Sequence, residues 1–321
     1  MKKSSERQKQ SKCPSCGEAV QANWRICPVC ETRLQELGCP LCGQPVKENW
    51  KRCPECEALL ICPRCGRRLP IKSTACPICQ EISDSETTQA DQALVEEVCG
   101  IELIHVPGGT FRMGDAFGHG VANEQPVHNV TLDGFYIGRF AVTQAQWLKL
   151  MPDNPSRFEG ANRPVEQVSF DDARRFIDAL NQAHHGRYVF DLPTEAQWEY
   201  SARGGGKAEI YAGGNDIDAV AWYGENSQGR SHPVGKKAPN GLGLHDMSGN
   251  VWEWCRDAFL EEAYAGHAAK NPWVDLPEPD RVVRGGAYHL DAWSARCARR
   301  SSCARDFMGP ALGFRVVMEK G

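Results

Sequence analysis

Apolar residues are spaced very differently in the two parts of this 321-residue chain. From about residue 98 onward they recur with the periods of regular structure. Ala173, Phe176, Ile177 and Leu180 fall on one face of a helix over Ser169–Ala183, and Ser169-x-x-Asp172 supplies its capping start. Thr194-x-x-Gln197 opens a second helix, Thr194–Arg203, and Thr143 caps a third over Val142–Met151. Val127, Val130 and Leu132, and again Phe314, Val316 and Met318, predict half-buried strands. Long turns rich in Gly, Asn, Pro and Trp separate these segments. The pattern predicts an α+β domain with much irregular structure, long enough at about 220 residues to bury a proper core.

The first 80 residues cannot fold that way. The opening segment offers little beyond Val20, Trp24 and Ile26 for a core. It carries instead six Cys-Pro-x-Cys knuckles. They are Cys13 with Cys16, Cys27 with Cys30, Cys39 with Cys42, Cys53 with Cys56, Cys62 with Cys65 and Cys76 with Cys79. They form three pairs, each with ten residues between its knuckles. Four thiolates at that spacing surround one tetrahedral Zn²⁺, which predicts three zinc ribbons over 12–31, 38–57 and 61–80. Sulfur fills all four positions of each site, so the zincs are expected to be structural, and metal binding supplies the folding energy. QANWRICPVC at 21–30 and KENWKRCPEC at 47–56 mark the segment as an internal repeat. Disulfides would need an oxidising compartment. The polar start MKKSSERQKQSK gives no secretory signal, and no apolar run reaches the roughly 18 residues of a membrane span. The expectation is therefore a cytoplasmic protein with reduced thiols, which favours zinc.

Charge narrows the partners. Residues 1–80 carry 14 Lys and Arg against 7 Asp and Glu. Each zinc held by four thiolates contributes a net −2, so three of them bring the module near neutrality. That is a poor footprint for nucleic acid, and a protein or peptide partner is the better expectation. Residues 81–97, EISDSETTQADQALVEE, read as an acidic, polar linker to a domain at 98–319.

Seven blocks lie in order along that domain: IELIHVPGGTFRMGD (101–115), EQPVHNVTLDGFYIGRFAVTQAQW (124–147), RPVEQVSFDDARRF (163–176), FDLPTEAQWEYSARGG (190–205), GLGLHDMSGNVWEW (241–254), RVVRGG (281–286) and GFRVV (313–317). Together they resemble the sulfatase-modifying-factor family, whose founding member is the formylglycine-generating enzyme. The resemblance implies a variant of the C-type lectin fold. It also implies an oxidase that converts a sulfatase cysteine to formylglycine with O₂, using two copper-binding cysteines in the pattern RGGSxxCxxxxC. Counting forward from Arg284 puts those cysteines on Leu290 and Ala295; counting back from GFR puts them on Ala287 and Ala292. Neither register has a thiol, and Cu(I) needs thiolate ligands. Cys297 and Cys303 are the nearest sulfurs and read either as a displaced metal or redox pair or as small buried residues. Cys99 and Cys255 read as core fillers.

The resemblance further implies a calcium loop at Asp246, Gly249, Val251 and Glu253, two carboxylates and two backbone carbonyls. The same loop also reads as a packing motif with Trp252 and Trp254 in the core, and both readings can hold. The glycine-rich stretches lack the GK[ST] of a phosphate-binding loop. Three functions stand against one another. The first is a protein- or ligand-binding module that presents residues 287–311, an arrangement resembling the variable proteins of diversity-generating retroelements, with the ribbons tethering or oligomerising the domain. The second is a protein or peptide oxidase with a non-standard metal or cysteine site, at Cys297 and Cys303 or elsewhere. The third is a cytosolic scaffold or regulatory partner whose ribbons dock a larger complex.

Overall fold

The computed structural model describes residues 11–12, 19–20 and 94–320. The twelve cysteines expected to hold zinc lie outside the described residues: Cys13, Cys16, Cys27 and Cys30 of the first ribbon, Cys39, Cys42, Cys53 and Cys56 of the second, and Cys62, Cys65, Cys76 and Cys79 of the third. Most of the linker lies outside them too. The chain divides into two compact units, Met1–Gln89 and Ala90–Gly321. In the first, β1 (Ser11–Lys12) pairs antiparallel with β2 (Ala19–Val20), Ser11 opposite Val20, on either side of the first knuckle in the sequence.

The second unit is mixed α and β. Its elements in chain order are β3 (Leu94–Val95), β4 (Glu102–Val106), β5 (Gly109–Met113), β6 (His128–Leu132), β7 (Phe135–Gly138), α1 (Gln144–Trp147), α2 (Phe170–Ala183), β8 (Tyr188–Asp191), α3 (Glu195–Ala202), α4 (Ile217–Val220), β9 (Trp252–Ala258), α5 (Ala263–Gly266), β10 (Asp280–Arg284), β11 (Arg300–Ala304), β12 (Leu312–Gly313) and β13 (Val317–Lys320). A five-stranded antiparallel sheet has the order β3-β4-β7-β13-β8, so both ends of the domain meet in it. A four-stranded sheet has the order β11-β10-β9-β12, and β5 and β6 form a hairpin of their own.

The five-stranded sheet is covered on both faces, and its side chains alternate between two cores. Ile104, Val106 and Val317 join the cluster under the β5–β6 hairpin and α3. Leu103 and Met318 join the other, under α2. The predicted stripe of α2 is fully buried there: Ala173, Phe176, Ile177 and Leu180 pack with Phe190, Phe314, Val316 and Trp147. Burying such a large apolar side chain is worth about 1.5–3 kcal/mol. Ser169 and Asp172 make the expected reciprocal cap, as do Thr194 and Gln197 on α3 and Thr143 and Gln146 on α1.

Three expectations change. The helix expected over Val142–Met151 is a single turn, Gln144–Trp147: Lys149 and Leu150 donate three residues back, to Gln146 and Trp147, and Pro152 follows. The strand expected at Phe314–Met318 starts only at Val317. The backbone carbonyls of Phe314 and Val316 instead accept from Val142 and Gly138, and the segment is buried on both sides rather than half-buried. Trp254 is a core residue as expected, but Trp252 is only half-buried.

Candidate functional site

Helix α3 is buried almost all round, and it carries Glu195 and Glu199 one turn apart inside the protein. Two carboxylates in such a place need cations, and arginines from distant strands supply them. Arg300 donates from Nε to Glu195 Oε1 at 2.6 Å and from Nη2 to Oε2 at 2.9 Å. Arg203 binds Glu199 Oε1 from one turn on at 2.9 Å, and Arg284 at the end of β10 reaches Glu199 Oε2. The arginines hold both carboxyls below their usual range against the opposing cost of burial. This network fixes α3 to β10 and β11, and so fixes the loop between those strands.

That loop, 285–299, is where the family pattern would put its copper cysteines. It begins at Gly285 and Gly286, with φ of 97° and 75°. A Cβ on Gly286 would lie 2.7 Å from the Ser294 carbonyl oxygen, so only glycine lets the loop fold back on itself here. Of the four positions in the two registers, Ala287 and Ala295 are buried and Leu290 and Ala292 are half-buried. None offers a donor atom to copper.

The outer side of the loop forms a face with residues 115–121. Asp291 caps the short 3₁₀ turn Ala292–Ala295 by accepting from the Ser294 amide. Trp293 stands out of that turn, 36 % exposed, and its Nε1 donates to the His119 carbonyl at 2.7 Å. Phe117 stacks on His119 with ring centres 6.2 Å apart, and Phe117 and Val121 are themselves exposed. The loop beneath is rigidly built. Asp115 accepts from the amides of Phe117 and Gly120, and Arg296 grips Glu124 through two hydrogen bonds of 2.9 and 2.8 Å. The guanidinium carbons of Arg296 and Arg299 lie 4.8 and 4.4 Å from the Trp293 ring centre.

The other sequence-predicted residues fall elsewhere. Cys297 is fully buried in the core under the hairpin, whereas Cys303 packs, half-buried, on the α2 core. Both are free thiols in separate clusters, which does not suit the displaced pair considered from sequence. Burial pushes the Cys297 thiol up to about 12, leaving it protonated and a poor nucleophile. Cys255 is fully buried as expected, and so nearly is Cys99. Among the described residues no group of three or more His, Cys, Asp or Glu is arranged to hold a metal ion.

At the expected calcium loop the donors are of two kinds. Asp246, at φ 56°, accepts from the Gly235 amide with Oδ2, while its buried Oδ1 has no hydrogen-bond partner. Burial pushes this carboxyl up to about 6. Glu253 is engaged by Arg315 at 2.6 and 2.7 Å and by Trp198 Nε1 at 2.7 Å. These bonds fill three of its roughly four acceptor sites. Gly249 and Val251 are buried in the same loop. The open Asp246 oxygen fits a hard cation, and Arg315 beside Glu253 opposes one.

A separate cleft of about 560 Å³ lies between His105, Tyr136, Arg256 and Trp273. Arg256 lies 3.3 Å from Asp191 and 3.6 Å from the Trp273 ring centre, and Asp133 lies 3.0 Å from Lys270.

Comparison with known proteins gives this geometry a setting. The family model of the sulfatase-modifying factor enzyme 1-like domain matches residues 90–320, and that of the double zinc ribbon matches residues 13–57. The second match spans the knuckles from Cys13 and Cys16 to Cys53 and Cys56, and stops short of Cys62, Cys65, Cys76 and Cys79. A chaperone protein LppX from Paenibacillus barcinonensis is 31% identical over 68% of this chain and 90% of its own length. A formylglycine-generating enzyme from Streptomyces coelicolor is 32% identical over 67% of this chain and 88% of its own length. Among solved structures, Treponema denticola variable protein 1 is similar with a TM-score of 0.61 at 27% identity, over 69% of this chain and 96% of that one. The fold is therefore a mixed α/β one with relatives of the formylglycine-generating type, preceded by a double zinc ribbon.

Proposed function

The chain belongs to the sulfatase-modifying factor enzyme 1-like family, and on that premise we propose that it is a binding module. It holds a protein or peptide partner on the face made by Phe117, His119, Val121 and Trp293, and it does not form formylglycine. The observation that carries this reading is the Trp293–His119 hydrogen bond, which locks two loops into one exposed aromatic face at the place where the family pattern expects thiols. Rigid aromatic side chains give a large contact area with little loss of conformational freedom on binding. Leu290, Ala295, Ala287 and Ala292 leave copper with no ligand there.

The rest of the chain is consistent with that role. Three structural zinc ribbons over 12–31, 38–57 and 61–80 tether the domain, in a reducing, cytoplasmic setting, and the end of the segment read as linker belongs to the domain, because Leu94 and Val95 form β3 of its sheet. The third ribbon, on Cys62, Cys65, Cys76 and Cys79, rests on its knuckle spacing alone. Native mass spectrometry checks this by finding three zincs per chain; two would remove that ribbon. Calcium at Asp246, Gly249, Val251 and Glu253 braces the 246–253 loop, and a melting temperature indifferent to added Ca²⁺ would remove it.

The face itself is tested by panning a random-peptide phage library against the full chain and against Trp293→Ala. Peptides enriched on the wild type should lose about thirtyfold in affinity for the variant, the loss expected of a central tryptophan. Undiminished binding would contradict the reading.

A further inference from the structure

Arg299 stands out among the charged groups of this face because its charge is not spent within the protein. Its guanidinium is held over the exposed Trp293 ring, and its side chain keeps 20% of its surface open to solvent. Its Nε is buried and has no hydrogen-bond partner. The nearest carboxylate is Glu124 at 4.0 Å, beyond hydrogen-bond reach, and both oxygens of Glu124 are already gripped by Arg296. Asp115, the other acid of the loop, is turned to the amides of Phe117 and Gly120 and lies 3.9 Å from Arg296. Asp291 turns one oxygen, Oδ1, to the Ser294 amide and hydroxyl. Burial without an acceptor also depresses the basicity of Arg299, the mark of a cation that loses hydration and gains little in return.

A planar guanidinium stacked on an indole is oriented to take a carboxylate with little further loss of freedom. The exposed Trp293 ring lies beside it, and Trp293 is hydrogen-bonded to the 115–121 loop, which carries the exposed Phe117 and Val121. We propose that the partner held on this face is an acidic peptide segment, with an Asp or Glu carboxylate on Arg299 and an adjoining apolar or aromatic side chain against Trp293 and Phe117. The proposal rests on the binding-face reading above and gives that face its chemistry.

The peptides enriched by panning provide the probe. An enriched peptide is synthesised twice, once with its acidic residue and once with the corresponding amide, and both are titrated against the full chain. The acid form should bind wild type about tenfold or more tightly than the amide form, the scale of a hydrogen bond to a charged group. The difference should vanish in Arg299→Met and persist in Arg299→Lys. Equal affinity of the two peptides for wild type overturns the proposal, as does an acid preference that survives in Arg299→Met. If Arg299→Met fails to fold, the acid-against-amide comparison on wild type decides. Peptides that bind through Trp293 without an acid preference sink the charge assignment alone, whereas peptides indifferent to Trp293→Ala sink the face itself. A wild-type chain that enriches no peptide sinks both. A single-stranded oligonucleotide that binds through Arg299 more tightly than any acidic peptide shows the anion to be phosphate and overturns the proposal.

Discussion

Arg299 and Arg300 are neighbours in the chain and opposites in the fold. Arg300 faces inward at the start of β11, with no exposed surface. All three of its nitrogens donate, two to Glu195 and one to the carbonyl of Asn123, and its guanidinium carbon lies 4.3 Å from the Tyr264 ring centre. Arg299 faces the other way, over an exposed indole, with its Nε unpaired. The same guanidinium serves structure where its donors are filled and stays open to a partner where they are not. Arg299 is the last residue of the loop and Arg300 the first of β11, so the two roles meet where the loop enters the sheet.

The two arginines should differ most in stability. Arg300→Met leaves Glu195 charged and buried with its main partner gone, and should cost about 3–5 kcal/mol. Arg299→Met takes away a group with no hydrogen bond at Nε, and should stay within about 0.5 kcal/mol of wild type. Urea unfolding of the two variants checks this, and similar losses would erase the distinction.

A smaller effect concerns pH. Asp257 accepts from the amides of Glu195 and Val274, and burial, with the nearby Glu195 charge, pushes its carboxyl from 3.8 to about 7. A carboxyl with a raised folded pKa binds its proton more tightly in the native state. Its stabilising contribution is complete below about pH 4 and is lost as pH rises toward 7. Glu195 and Glu199 act in the opposite sense, and their contribution is lost as pH falls through their lowered values. Across pH 4–7 the stability of Asp257→Asn should therefore fall less, or rise more, with pH than that of the wild type. A slope unchanged in the variant would assign it to another group.

Some of this was legible in the sequence. Capping boxes and the α2 stripe located α2 and α3 to within a residue or two, because caps and 3.6-residue periodicity are local signals. The Arg284, Arg300 and Arg315 partners were not legible. Arg300 and Glu195 are 105 positions apart, and no spacing rule reaches that far. The Phe314–Val316 segment misled for a related reason: alternation that reads as a half-buried strand also fits a segment buried on both sides, with Arg315 turned to Glu253. The loss of thiols after RGG was plain in the sequence, whereas the face that stands there became visible only through the Trp293–His119 contact.

On the binding-module reading the domain keeps the family's scaffold without its oxidation chemistry, and it should be inert in the family's own reaction. Full-chain protein supplied with copper, O₂, a thiol reductant and a Cys-x-Pro-x-Arg peptide tests this directly, with aldehyde read by mass spectrometry. A variant carrying both Cys297→Ser and Cys303→Ser runs beside it. No aldehyde should form with either protein. Aldehyde from the wild type that disappears in the double variant would show that the catalytic thiols have moved to Cys297 and Cys303, and would contradict the binding-module reading.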